Sequence, residues 1–130
     1  MTLAEIEDAV GQHLAAMPQC PPIAWPDQSI EAPRPVIEFR HIPASVTDET
    51  LAGERAIWRG QFLLTVMTRR GGLAKDARAI AANIAARFPQ ALRLSAGDGV
   101  VLIRKPAEPR AGFPDGSDWR LPVVIDYQTE

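Results

Sequence analysis

The stretch from Ala56 to Phe88 constrains the fold more than any other part of this chain. In its first half, AIWRGQFLLTVMTRR, the side chains form two rows that alternate with a period of two residues. The segment is rich in aromatic and β-branched side chains. One row of that alternation consists of Trp58, Gly60, Phe62, Leu64 and Val66. This pattern predicts a long β-strand with one well-buried face.

The second half of the same stretch predicts an amphipathic helix that lies back on the strand. Gly71 and Gly72 provide the backbone freedom that the reversal of direction requires. Pro89 ends the run. One helix face, at i, i+4, i+7 and i+8 spacing, is formed by Leu73, Ala77, Ile80, Ala81, Ile84 and Phe88.

The N-terminal part of the chain predicts a first helix followed by an extended linker. Residues 1–17 form the helix, and Thr2 and Glu5 have the spacing of a capping box at its start. Residues 18–35 are too rich in proline to be helical. Within this linker we expect a short edge pairing at Ile23 and Trp25, because sheet edges tolerate proline.

The remaining segments predict further strands and a long loop. Val36–Ile42, bracketed by Pro35 and Pro43, alternates as a strand with Ile37 and Phe39 inward, and a polar loop covers 44–53. Strands at 92–94 and 100–104 flank a hairpin turn at Asp98-Gly99. The segment 105–118 has no periodicity and predicts a long Pro/Gly-rich loop before the last strand, 119–127.

Together these elements predict an α+β fold, with two main helices packed on one face of a mostly antiparallel, mixed β-sheet. A length of 130 residues fits a single domain, with the α+β core at 36–128. A net charge of −2 gives no electrostatic reason to expect nucleic acid binding. No apolar run is long enough for a bilayer, and acids stand where a secretory signal would carry bases.

The titratable residues do not form a catalytic, cofactor or metal site that the sequence can identify. His13 and His41 have no serine or cysteine nucleophile beside them, and Cys20 lies among prolines without a cationic neighbourhood. Turn formation accounts for Asp115 and Asp118. We therefore expect no enzyme activity, no cofactor and no metal, with His41 satisfied or exposed and Cys20 an ordinary thiol.

Two features could instead form contacts with other proteins. One is the basic cluster at the end of the long strand, which a solvated strand end would also explain. The other is the 105–118 loop, which is longer than a simple connection requires. The candidate contact residues on these features are Arg69, Arg70, Lys75, Arg110, Phe113 and Asp115.

The order of elements resembles the tail terminator proteins of long-tailed bacteriophages and of related gene transfer agents. The resemblance lies in the N-terminal helix followed by IAWPD, and in FLLTVMTR passing directly into GGLAKDARAIAANIAARFP. It continues through GDGVVLIRKP and the closing WRLPVVIDYQTE. The similarity covers nearly the whole chain and contains no catalytic signature.

This resemblance implies a subunit of a six-membered ring that caps the tail tube, stops its growth and offers a surface for joining to the capsid. It implies three partners: further copies of the chain, the tail tube protein and a head-completion (connector) protein. The expected location is the head-proximal end of the virion tail, after assembly in the bacterial cytoplasm. Neither a membrane nor a specific nucleic acid sequence is implied as a partner.

Two other functions remain open from the residues alone. A small ligand-binding module could use the sheet face around Arg59, Arg104 and Asp126. An adaptor domain could dimerise through the edge strand near Ile23–Trp25. If 105–118 acts only in assembly, trimming 107–116 should leave the fold intact.

Overall fold

A computed structural model describes residues 1–28, 33–48, 56–72 and 74–130 of the chain. Within these ranges it contains two α-helices and eight β-strands. None of the described helices has the length and apolar character needed to cross a membrane. The elements in chain order are α1 (Leu3–Ala15), β1 (Ile23–Ala24), β2 (Val36–Asp48), β3 (Ala56–Arg69), α2 (Ala74–Arg87), β4 (Arg93–Ala96), β5 (Gly99–Ile103), β6 (Glu108–Pro109), β7 (Phe113–Asp115) and β8 (Asp118–Thr129).

The described strands form one mixed sheet in the order β1-β2-β3-β8-β5-β4, with β6 and β7 also paired to β8. Only the pairing of β1 with β2 is parallel among the described pairs. Strand β8 is the centre of the sheet, because β3 covers one of its edges while β5, β6 and β7 share the other. The α+β prediction with a mostly antiparallel, mixed sheet is confirmed, although the sheet has more strands than the sequence indicated.

Both helices pack on one face of this sheet and share one core with it. Thr2 caps α1 as predicted, because its hydroxyl oxygen accepts a hydrogen bond from the Glu5 N–H at 3.2 Å. Leu73, which was assigned to the α2 face, lies outside the described residues. The fully buried members of this core include Ile6, Val10, Leu14, Ile37, Phe62, Leu64, Val66, Ala77, Ile84, Phe88, Val123, Ile125 and Tyr127.

Strand β2 continues six residues beyond the predicted end at Ile42 and replaces part of the predicted 44–53 loop. Pro43 does not end it, because β1 pairs with β2 only at Ile37 and Glu38 and the outer edge further along has no described partner strand. A register shift between Pro43 and Ser45 absorbs the irregularity as a β-bulge. The part of the predicted loop at 49–53 lies outside the described residues.

The other departures from the predicted elements are small in extent. The β4–β5 turn lies at Gly97–Asp98, one residue before the predicted Asp98-Gly99, since Gly97 has a φ of +54° and Ala96 pairs with Gly99. The edge pairing near Ile23 is confirmed, with Trp25 just beyond the strand. Met67 is fully buried on the second face of β3, where it packs with Ala24 and Val36, so this strand is buried on both faces near its end.

The predicted 105–118 loop contains two short strands that are bound to β8. Glu108 pairs with Val124, and Phe113 pairs with Arg120. Sequence periodicity cannot detect strands of two and three residues, the lengths of β6 and β7. Trimming 107–116 would therefore remove part of the sheet, and point substitutions give a cleaner test of this segment's role.

Candidate assembly surfaces

The predicted basic cluster lies where β3 ends and α2 begins, and we call it the basic end. Arg69 pairs in register with Asp118 at the start of β8. The Arg70 backbone N–H donates to the Ser117 carbonyl at 2.8 Å, which fixes the chain at this corner. The side chains of Arg69, Arg70 and Lys75 are exposed. The structure therefore presents these three predicted residues on an accessible surface.

Two shallow cavities border the basic end. One, of about 260 Å³, lies between the β3–α2 turn and the β7–β8 hairpin, with Pro114 and Trp119 in its wall. The other, of about 360 Å³, lies between that turn, the first turns of α2 and Arg34. Arg69 lines both cavities, as do Thr68 and Gly72.

A bidentate ion pair joins the linker to the start of β8 beside the basic end. Arg34 Nε and Nη2 donate to the two carboxylate oxygens of Asp118 at 2.8 and 2.9 Å. These hydrogen bonds lower the pKa of Asp118 below its ordinary value, and the same contact raises the pKa of Arg34. The two residues are 84 positions apart, so no local pattern in the sequence indicated the pair.

The candidate contact residues in the 105–118 segment are divided between two places. Asp115 and Arg110 are both paired within the chain, Asp115 with Arg120 Nε at 2.8 Å and Arg110 with Glu108 at 3.0 Å. Phe113 is 45% exposed, which is high for so large an apolar side chain. Of these three, Phe113 is therefore the one whose surface is most available to a partner.

An apolar groove of about 460 Å³ lies between α2 and the 109–112 segment, and sequence analysis did not identify it. Gly112 allows the 109–112 segment to lie close against Trp119, because a Cβ at this position would come within 2.5 Å of the indole nitrogen. Arg78 and Arg110 also line the groove. The apolar lining is formed by Ala81, Ala82, Pro109, Ala111, Gly112, Trp119 and Leu121.

The sheet face around Arg59, Arg104 and Asp126 is the alternative ligand site that sequence analysis left open. Arg104 Nη1 lies 3.5 Å from an Asp126 carboxylate oxygen, and Lys105 Nζ lies 3.9 Å from the other. Asp126 is therefore already engaged by two cations of its own chain. This arrangement is explained by pairing within the sheet.

A row of polar side chains formed by Glu7, His41 and Tyr127 reaches into the core. His41 Nδ1 lies 2.9 Å from Glu7 Oε1, and His41 Nε2 lies 2.5 Å from the Tyr127 hydroxyl. The imidazole stacks on Phe62 with ring centroids 4.4 Å apart. Burial raises the pKa of Tyr127 to about 12, with Glu7 adding to the effect, so the phenol remains protonated and donates to Nε2.

This row has the residue types of an acid–base relay, but its burial makes it structural. The His41 side chain is 3% exposed and Tyr127 is fully buried, so no substrate atom can reach the ring nitrogens in this conformation. A neutral imidazole that donates to Glu7 and accepts from Tyr127 satisfies all of its polar atoms. His41 therefore holds α1 on the sheet. Of the two alternatives left by the sequence, a satisfied or an exposed histidine, the structure shows the satisfied one.

The other two residues considered for chemistry also have structural roles. His13 Nε2 lies 2.8 Å from the Arg87 carbonyl, and Arg87 Nε donates to the His13 carbonyl at 3.0 Å, which joins the ends of the two helices. Burial raises the pKa of the Cys20 thiol, which opposes formation of the nucleophilic thiolate. Among the described residues, no three His, Cys, Asp or Glu side chains come together in a way that could hold a metal ion.

The fold places the chain in the class of α+β proteins with two helices on one face of a mixed sheet. One solved structure with this fold, of a protein that has only a sequence identifier as its name, is 24% identical to this chain, with a TM-score of 0.80. That alignment covers 100% of this chain and 96% of the other. A second, from the "Virion of native gene transfer agent (GTA) particle", is 17% identical over 96% of this chain and 94% of that one, with a TM-score of 0.70.

Family membership follows from the sequence. Residues 5–127 match the family described as phage tail terminator protein, so this chain belongs to that family. The resemblance noted from the order of its elements is confirmed. No significant match occurs among curated proteins. The family is one of structural proteins of the phage tail, which agrees with the expectation that the chain is not an enzyme.

Proposed function

We propose that this protein forms a ring that caps the tail tube, ends its elongation and provides the surface to which the head is joined. The observation that carries the proposal is the match to the tail terminator family, because residues 5–127 include α2, most of α1 and nearly the whole sheet. The protein acts through shape and charge, without forming or breaking bonds. The fold shared with a chain of a gene transfer agent particle supports this proposal.

The proposed ring contains six copies related by rotation, which requires a heterologous interface between two different surfaces of each copy. Its further partners are the tail tube protein on one side and a head-completion protein on the other. The ring lies at the head-proximal end of the tail and is assembled in the host cytoplasm. The proposal includes no nucleic acid sequence recognition and no membrane.

The basic end is the surface we assign to contact with an acidic partner in this assembly. Arg69, Arg70 and Lys75 are exposed, and no ion pair with a carboxylate is recorded for them among the described residues. Such charges favour a complementary surface and accelerate its encounter more than they increase the final affinity. Phe113, at the same end of the molecule, supplies an apolar contact beside them.

Electron microscopy of particles made with and without the gene tests this function. Without the protein we expect abnormally long tubes that lack heads, and expression of the protein from a plasmid should restore a uniform length. The Phe113→Ser variant is tested in the same complementation assay. Because this exposed side chain contributes little to the core, the substitution should leave the fold intact. Normal tail lengths in the absence of the gene would refute termination as the function.

A further inference from the structure

A shallow cavity of about 330 Å³ lies between α1 and the residues that follow β1. We call it the acidic cavity. Its lining includes Glu7, Asp8, Gly11, Gln12, Trp25 and Phe39. The cavity therefore combines the negative charge of two carboxylates on α1 with an aromatic surface.

The aromatic part of the acidic cavity is held in place by close packing. A Cβ at Gly11 would lie 2.8 Å from Trp25 Cζ3, so glycine allows the indole to lie directly against α1. The ring centroids of Trp25 and Phe39 are 5.3 Å apart. Trp25 is only half-buried despite these contacts, which leaves part of its indole available to a partner.

The carboxylates at the acidic cavity are not neutralised by cations of the described chain. Asp8 is exposed, and so is Asp27, which directly follows Pro26 in the cavity wall. Neither aspartate makes an ion pair with a described residue. The Glu7 side chain is 38% exposed, and its partner is the neutral imidazole of His41, which leaves the negative charge uncompensated. The cavity therefore attracts a cation.

A guanidinium group is the cation that suits both parts of the cavity. Its planar fork pairs with carboxylates and its face stacks on aromatic rings, whereas an ammonium group is a compact point charge. The basic end offers two such groups, because Arg69 and Arg70 are exposed and make no ion pair with a described residue. By contrast, Arg93, Arg110 and Arg120 are each paired with a carboxylate of their own chain.

We propose that the basic end of one copy docks at the acidic cavity of the next copy in the ring, with Arg69 and Arg70 against Trp25 and the carboxylates. The inference rests on the proposed ring and names the acidic partner of the basic end. The two surfaces are separate within one chain, since Phe39 in the cavity pairs with Leu64, five positions before Arg69 on β3. At about 3.3 Å per residue this is roughly 16 Å along the strand, which is longer than an arginine side chain.

This contact has the form that a ring of equivalent copies requires. A heterologous contact joins two different surfaces, so a copy whose basic end is docked still presents its own acidic cavity to a further copy. Opposite charges across the contact speed the encounter and fix its register. One interface of this kind, repeated by rotation, is enough to join all copies of the ring.

Charge exchange in the complementation assay tests the interface. Asp8→Arg with Asp27→Arg reverses the charge at the cavity and keeps Glu7, which holds His41. Both aspartates are exposed, so we expect the melting temperature to change by only a few degrees while rings and uniform tails are lost. The fourfold variant, which adds Arg69→Glu and Arg70→Glu, has opposite charges across the contact again and should restore both.

The matched control places the same charges elsewhere on the molecule. It combines Asp8→Arg and Asp27→Arg with Arg40→Glu and Arg59→Glu, so its net charge equals that of the fourfold variant. Arg40 and Arg59 are exposed and make no ion pair with a described residue. Because its basic end is unchanged and now faces added arginines, this control should form no rings.

The outcomes separate this inference from the proposed function. Restored rings in the fourfold variant but not in the control support the interface. If the variant with only the two aspartate substitutions still caps tubes, the basic end meets a different partner and the interface is overturned. Equal failure of the fourfold variant and the control also overturns it. In both cases wild-type rings at tube ends leave termination intact, whereas tails of normal length without the gene overturn the proposed function and the interface with it.

Discussion

His41 connects three elements of the fold through a single side chain. It stands on β2, contacts Glu7 of α1 and Tyr127 of β8, and stacks on Phe62 of β3. Because the imidazole is almost fully buried, each of its nitrogens needs a hydrogen-bond partner within the protein. Removal of either partner would leave a nitrogen that water cannot reach. This requirement fixes α1 in register on the sheet.

Tyr127→Phe tests the row directly. The substitution removes the hydroxyl that donates to His41 Nε2, and we expect the free energy of unfolding to fall by about 1–3 kcal/mol, the usual cost of an unsatisfied buried group. Denaturant titration measures this loss. In a chain that already carries His41→Leu, the same substitution should cost much less. Equal costs in the two backgrounds would contradict a direct coupling between the residues.

Asp118 provides a prediction about pH. Its folded pKa lies below its ordinary value of 3.8 because Arg34 donates to its carboxylate. A carboxylate whose pKa is lower in the folded than in the unfolded state stabilises the fold in full above the unfolded pKa. That stabilisation is lost as pH falls through the folded pKa. We expect Asp118→Asn to lower the free energy of unfolding at pH 7 by about 1 kcal/mol, the scale of a partly exposed charged hydrogen bond.

The difference between wild type and Asp118→Asn should shrink as pH falls below 3.8 and vanish below the lower folded pKa, where the wild-type carboxyl is also neutral. Unfolding curves at several pH values measure it. Asp76→Asn is the control, because Asp76 is exposed on α2 and makes no recorded ion pair among the described residues. A difference that stays constant across the pH range would show that the charge of Asp118 is not the cause.

At the scale of single residues, sequence reasoning predicted environments better than partners. The alternation of 36–42 placed His41 on the same row as Ile37 and Phe39, but it left open whether the histidine was satisfied or exposed. Its partner Tyr127 is 86 positions away. Arg34 and Asp118 are likewise far apart, and pairing over such distances depends on the topology, which no local spacing encodes.

At the scale of elements, the pairing of β2 with β3 depends on a close approach at Gly60. A Cβ at this position would lie 2.6 Å from the Ile42 carbonyl oxygen and 2.9 Å from the Pro43 Cα. Both are backbone atoms, which cannot rotate away. Glycine is therefore needed where the bulge brings the two strands together.

Gly60→Ala should displace this part of the hairpin and lower the free energy of unfolding by roughly 1–3 kcal/mol, the usual cost of overpacking. Thermal or denaturant unfolding measures the change. Gly72→Ala is the control, since its Cβ would approach the Arg69 carbonyl only to 3.3 Å. If both variants lose the same small amount of stability, the close approach at Gly60 is not a constraint.

The long elements were the predictable ones. The β3–α2 unit has strong periodicity over many residues, so its type and faces followed from the sequence. The extension of β2 was missed because Pro43 normally ends a strand, and only an open edge explains its tolerance here. Strands β6 and β7 exist because β8 offers them an edge, which the composition of 105–118 does not reveal.

At the scale of the whole molecule, the predicted basic contact residues and Phe113 gather at one end of the sheet. They lie where β3 ends, next to the β7–β8 hairpin. The exposed basic residues contribute little to stability, since surface charges of this kind are worth less than about 1 kcal/mol. A role for them in assembly stays a prediction, whereas the groove depends on tertiary packing and could not be predicted from the sequence.

Arg69→Glu with Arg70→Glu should therefore separate folding from assembly. We expect the melting temperature to change by only a few degrees, because both side chains are exposed, while the variant fails to restore uniform tails. Complementation scored by electron microscopy measures the second effect. Arg40→Glu is the control that should still complement, because Arg40 is exposed on β2 and has no ion pair with another described residue. Full activity of the double variant would exclude the basic end as a docking surface.

The most direct test of termination is to add the purified protein to tail tubes that are growing in vitro and to measure the distribution of their lengths. If the protein caps the tube, elongation should stop at addition, and a ring of this chain should be visible at one end of each tube. Tubes that continue to lengthen with saturating protein present would contradict the proposed function.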